Sequence, residues 1–117
     1  MQDLSQVNTQ LTRKDLFEAF KTQLAKDFEQ SNFSAAFVSS LEPDFARIHA
    51  KILFELQSAE KRADSDVMNL LYRVDISEAQ LKRYLAESQD TSPLPTIAEL
   101  IIKRVLQKVV IRQYYKG

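Results

Sequence analysis

The chain has 117 residues, 44% hydrophobic and 27% charged, with 16 basic and 16 acidic side chains and no net charge. This is one domain of ordinary globular composition, able to bury more than about 60% of its unfolded surface, with no global pull toward nucleic acid or an anionic membrane. Cysteine is absent, which excludes a disulfide framework, a thiolate nucleophile and a zinc finger. No apolar run approaches the roughly 18 residues of a bilayer span.

The start, Met1-Gln2-Asp3-Leu4-Ser5, carries neither a basic stretch nor an apolar one. No signal peptide is read there, and a cytoplasmic location is expected. The only glycine is Gly117, the last residue, where roughly 7% glycine is usual. Without glycine the backbone has little cheap access to positive φ, so tight hairpins, phosphate-cradling loops and nucleophile elbows are disfavoured. The expected fold is all-α: a compact bundle of five to six short helices.

Residues 1–11 are polar and rich in glutamine and are expected to form a flexible tail, with residues 12–117 as a single helical domain. Thr12 reads as an N-cap with Asp15 in the first turn. Leu16, Phe17, Phe20, Leu24 and Phe28 then mark one helical face ending near Gln30. Phe33, Phe37, Val38 and Leu41 suggest a short second helix.

Pro43 suits a first helical position, and Phe45, Ile48, Ile52, Leu53, Leu56 and Ala59 form a stripe to about Lys61. Residues 62–65 read as a connection, with Asp64 or Ser65 capping a helix over Val67 to Val74; one long bent helix from Pro43 to Val74 is the alternative. Ile76-Ser77-Glu78-Ala79-Gln80-Leu81 holds a capping box, Ser77 with Gln80, inside a hydrophobic staple, Ile76 with Leu81. A helix from Glu78 to about Glu87 follows. Ser88 to Pro95 is a loop, with Pro93 and Pro95 as breakers. Thr96 and Glu99 form a second capping box opening a last helix to about Tyr114.

Four features are candidates for function. His49, the only histidine, falls in the middle of its helix's apolar face and reads as a core residue with one hydrogen bond. Metal or hydrolytic chemistry would need partners the local sequence does not supply. Residues 67–85 resemble a helix-turn-helix, with Lys82 and Arg83 on the second helix, but Leu71 stands where a small residue usually lets the helices cross. Asp75 stands where glycine usually takes the turn, and the surrounding acids oppose a phosphate backbone.

The third feature is charge. Residues 100–117 contain Lys103, Arg104, Lys108, Arg112 and Lys116 and no acid, while residues 1–99 hold 11 basic and 16 acidic side chains. Arg104, Lys108 and Arg112 share a stripe at i, i+4, i+8, where like charges disfavour an isolated helix. Either the acidic remainder of the chain or an acidic partner must offset them, and Tyr114 and Tyr115 could stack on bases.

The fourth is apolarity. From Ile97 to Tyr114 the last helix is apolar over far more than a third of its circumference, which places it centrally in the bundle or at a dimer interface. Ile102, Val105, Leu106, Val109 and Val110 are the interface candidates. No catalytic, cofactor-binding or metal-ligating residue is assigned. The sequence therefore reads as a non-catalytic helical protein-interaction module, self-associating through the C-terminal helix. The alternative is a small nucleic-acid-binding protein using Lys82, Arg83, Arg104, Lys108, Arg112, Tyr114 and Tyr115.

Overall fold

A computed structural model describes residues 4–59, 64–87 and 92–116, with side chains from 6–58, 66–87 and 92–114. Its helices are α1 (Leu4–Leu11), α2 (Lys14–Glu29), α3 (Phe45–Ala59), α4 (Asp64–Val74), α5 (Glu78–Glu87) and α6 (Leu94–Lys116), with a single 3-10 segment at Ala36–Ser40 between α2 and α3. There are no strands among the described residues. The radius of gyration is 13.6 Å, against about 13 Å for a single domain of this length.

α6 is the centre of the bundle. α2, α3, α4 and α5 all pack against it, and α1 lies over α2 and α3. Leu94, Ile97, Ala98, Leu100, Ile101, Ile102, Val105, Leu106 and Val109 are buried. The breadth of this helix's apolar surface is thus accounted for by central position within one chain. Ile102, Val105, Leu106 and Val109 lie in the core and Val110 packs half-buried against it, so these five do not form a free interface.

The N-terminal segment is not a loose tail. Val7 and Leu11 are fully buried on α1, and with Leu4 their spacing of three and four is already helical. Asn8 Oδ1 accepts a 2.8 Å hydrogen bond from the Phe45 backbone N–H, so α1 satisfies one of the orphan donors at the start of α3. Asp44 Oδ2 accepts another, from Arg47 N–H. Asp44 caps α3, and Pro43 stands outside the helix rather than as its first residue.

Other boundaries shift for similar reasons. Thr12 does not cap α2; its hydroxyl donates to Thr9 O at the end of α1, and the α2 N-cap is Arg13, without a side-chain cap. The expected helix around Phe33 to Leu41 is reduced to the 3-10 turn. α6 opens two residues before Thr96, with Ile97 N–H bonded to Pro93 O. Pro95 therefore sits inside the first turn, where its missing N–H has no intrahelical partner to lose, and Thr96 is a buried helical residue. Asp64 and Ser65 belong to α4 rather than capping it. The stretch 60–63, on which the choice between one bent helix and two rests, lies outside the described residues, as does 88–91 of the expected loop.

The chain makes its left-handed turns without glycine. Asn32 (φ 67°) and Asp75 (φ 70°) are the non-glycine residues at positive φ. Each follows a helix in the same way. Phe33 N–H reaches back to Phe28 O and Asn32 N–H to Glu29 O; Ile76 N–H reaches Leu71 O and Asp75 N–H reaches Tyr72 O. This is the Schellman pattern, with its apolar contact between the flanking residues: Phe28 and Phe33 ring centroids are 5.6 Å apart. Asn and Asp tolerate this conformation better than other non-glycine residues.

The position makes Asn32 a measurable test. Asn32→Ala should destabilise by about 1 kcal/mol, the scale of a left-handed penalty, whereas Asn32→Gly should stay within about 0.5 kcal/mol of the parent. Urea unfolding of the three proteins measures it; an alanine variant as stable as the parent would show that backbone conformation does not govern this turn.

Candidate interaction surface at the α4–α5 corner and the α6 outer face

The basic stripe of α6 faces its own chain. Arg104 Nη2 donates to Asp75 Oδ2 at 2.7 Å and Nη1 to Gln107 Oε1 at 2.7 Å. Lys108 Nζ donates to Arg73 O at 3.1 Å and stands 3.9 Å from Asp27 Oδ2. Arg112 Nη2 donates to Gln23 Oε1 at 3.1 Å. The acidic remainder of the chain thus offsets the first two cations, while the contact of the third is with a neutral amide. Asp27 lies on the buried face of α2 and is 3% exposed. Gln23 Nε2 donates to its Oδ1 at 3.0 Å, so Arg112, Gln23 and Asp27 form a hydrogen-bonded row. Its Oδ2 receives no hydrogen bond and depends on Lys108.

The two aspartates facing this stripe shift in opposite senses. Burial raises the Asp27 carboxyl above its ordinary value, with Lys108 and the Gln23 hydrogen bond pulling the other way. At exposed Asp75 the hydrogen bond and charge of Arg104 lower it. The signs fix the pH behaviour. A carboxyl raised in the folded state costs stability as pH rises from its unfolded value through its folded one; a lowered one adds stability above its unfolded value that is lost as pH falls through the folded one.

His49 is half-buried, stacked 5.7 Å from Phe45, with Nε2 donating to Pro95 O at 2.8 Å. Both contacts join α3 to the start of α6. Among the described residues no group of three His, Cys, Asp or Glu could hold a metal ion, and no helix is long and apolar enough to cross a membrane.

The helix-turn-helix-like stretch is two helices joined by the Asp75 turn. The capping box forms, with Gln80 N–H on Ser77 Oγ at 3.1 Å and Ser77 N–H on Gln80 Oε1 at 3.2 Å, and Ile76 and Leu81 both pack on the core edge. Beyond that α5 is lightly held: none of its residues is buried, it packs on α6, and Lys82 and Arg83 point to solvent. Two depressions flank it. One, about 220 Å³, lies between α5 and α6 and is lined by Gln80, Tyr84, Leu100, Lys103, Arg104 and Gln107 with Ile76. The other, about 290 Å³, lies between α4 and α5. Met68, Leu71, Tyr72, Ile76 and Leu81 make it apolar, and Asp75 and Glu78 with Ser77 make its polar edge.

The exposed apolar side chains fall in three places. Tyr72 (81%) and Met68 line the α4–α5 groove; Ile111 (46%) and Tyr114 (79%) lie near the end of α6; Phe54 stands alone on α3. At 100° per residue Ile111 and Tyr114 continue the stripe of Leu100 and Gln107 that α5 flanks upstream. The side chain of Tyr115, the other tyrosine singled out in the sequence, lies outside the described ones. Met68, Tyr72 and Ile111 were not picked out from the sequence. Met68 and Tyr72 share an i, i+4 stripe opposite Leu70 and Val74, a signal that α4 has apolar residues on more than its core face.

No protein family, curated protein or solved structure matches this chain.

The aspartate pair gives a signed test. Asp27→Asn should gain stability relative to the parent as pH rises from about 4 toward 7, because only the parent then pays to ionise a buried carboxyl. Urea unfolding at several pH values measures the difference, and a gap between the two proteins that shrinks as pH rises contradicts the assignment.

Proposed function

We propose that this chain is a non-catalytic helical protein-interaction module that self-associates through the exposed outer stripe of α6. The observation that carries this reading is Ile111 and Tyr114. Two large apolar side chains stand exposed three residues apart on a helix whose remaining faces are packed into the bundle. A β-branched residue left in water at the end of the central helix gains by being covered, at roughly 25 cal/mol per Å² of apolar surface. The segment carrying it has no acid from residue 100 onward, so a surface of opposite charge favours its approach.

The lone histidine supports a non-catalytic role, since its Nε2 is committed to Pro95 O. A cytoplasmic setting belongs to the same proposal. Nucleic acid is the weaker partner class, because Arg104 and Lys108 already face Asp75 and Asp27 of their own chain, and phosphate would have to displace those contacts.

Sedimentation equilibrium tests the reading. The mass of the parent should rise above 13.5 kDa with concentration through the high micromolar range. Ile111→Asp, at a half-exposed site, should keep its circular dichroism and weaken association at least about tenfold. A parent that stays monomeric at the highest concentrations refutes it, as does association that appears only when DNA or RNA is added.

A further inference from the structure

The α6 stripe needs a counter-surface, and its own chain cannot supply one. α6 is continuous from Leu94 to Lys116, so a rise of about 1.5 Å per residue carries Ile111 and Tyr114 roughly 6 and 10 Å beyond Gln107, the last α6 residue beside α5. A straight helix cannot fold back onto the α4–α5 groove. A second copy can reach it.

We propose that the apolar groove between α4 and α5 receives the α6 end of a second copy of this chain, in a head-to-tail contact. This rests on the self-association proposed above and names its other half. Three observations support it. The groove is apolar at Met68, Tyr72 and Leu81, and its charged lining residues, Asp75 and Glu78, are both acidic. The α6 end is its electrostatic complement: basic, without acid, and with Arg112 bonded only to the neutral Gln23 amide in its own chain. Ile111 and Tyr114 at i, i+3 present the paired anchors by which an amphipathic helix lies in a groove. The volume, about 290 Å³, suits one or two side chains rather than a ligand of drug size.

Because the two surfaces differ, the contact is heterologous. It closes into a pair if both contacts form at once and otherwise grows into chains or rings. Charge also sets its salt response, and association should weaken as ionic strength rises.

Complementation between two variants tests it. Tyr72→Lys blocks the groove and leaves the α6 end intact; Ile111→Asp does the reverse. Both sites are solvent-exposed, and circular dichroism and thermal melting establish that the variants fold. Glu78→Lys serves as a second groove variant. By sedimentation equilibrium each variant alone should associate at least about tenfold more weakly than the parent, and an equimolar mixture of Tyr72→Lys with Ile111→Asp should recover a 1:1 complex of twice 13.5 kDa. Recovery on mixing supports the head-to-tail contact. Groove variants that associate like the parent overturn it and leave self-association standing. Mixtures as weak as the separate variants also overturn it, since like surfaces would then be pairing. A monomeric parent removes the self-association reading itself.

Discussion

The structure depends on placing one nearly all-round apolar helix at the centre of a small bundle while keeping its cations satisfied. α6 is buried along most of its length, and α2, α3, α4 and α5 are arranged around it. Four fully buried aliphatic side chains in its middle, Ile102, Val105, Leu106 and Val109, contribute on the order of 1.5–3 kcal/mol each by transfer alone. That gain is available only if Arg104 and Lys108, interleaved with them, can keep polar partners at the seam. An unpaired charge there would cost several kcal/mol, more than any one of those side chains returns. The seam between α2 and α4 solves this by presenting Asp27, Asp75 and the Arg73 carbonyl to the cations.

Asp75 does two things at once, and the coincidence explains why the chain can dispense with glycine there. As the residue after α4 it adopts positive φ and closes the Schellman turn; its side chain then extends back to Arg104 on α6. Glycine would relieve the backbone but leave Arg104 without its carboxylate. Asp27 is the costlier partner. Its carboxylate is buried, with one oxygen on Gln23 and the other dependent on a lysine at 3.9 Å. A buried pair of this kind contributes little net stability, but removing one member strands the other. Its physical effect is to fix how α6 is rotated against α2.

What could be read from the sequence follows how local the cause is. All-helical architecture followed from the missing glycine, and the Ser77–Gln80 capping box and its Ile76–Leu81 staple followed from six consecutive residues. Helix starts that depend on distant atoms were misplaced. α3 begins at Phe45 in part because Asn8, 37 residues earlier, accepts its N–H, and no local pattern contains that. α1 was within reach, since Leu4, Val7 and Leu11 have helical spacing, but three apolar residues amid glutamine and asparagine carry little weight until α2 and α3 are there to cover them. The surplus apolarity of α6 was legible as a quantity, yet a central helix and a dimer-interface helix share that signature. The core absorbs Ile102 through Val109 and leaves Ile111 at the surface, a division set by where the neighbouring helices end. Asp27 carried a signal of its own: an acid three residues after Leu24, on the stripe of Leu16, Phe20 and Phe28, stands on a face where acids are rarely unpartnered.

α5 differs from the rest of the molecule in what holds it. It buries no residue fully, and its anchorage is the capping box, the staple and one side of α6. Helices with few buried contacts open at lower free energy than the core around them, so α5 should be the first element to detach, taking one wall of the α4–α5 groove with it. A helix laid into that groove would contact α4 and α5 together and add the burial that α5 lacks. By mass action the occupant then stabilises the element it binds. The weakly held corner of the fold and its most apolar open surface are therefore one place, because the same shortage of covering residues produces both.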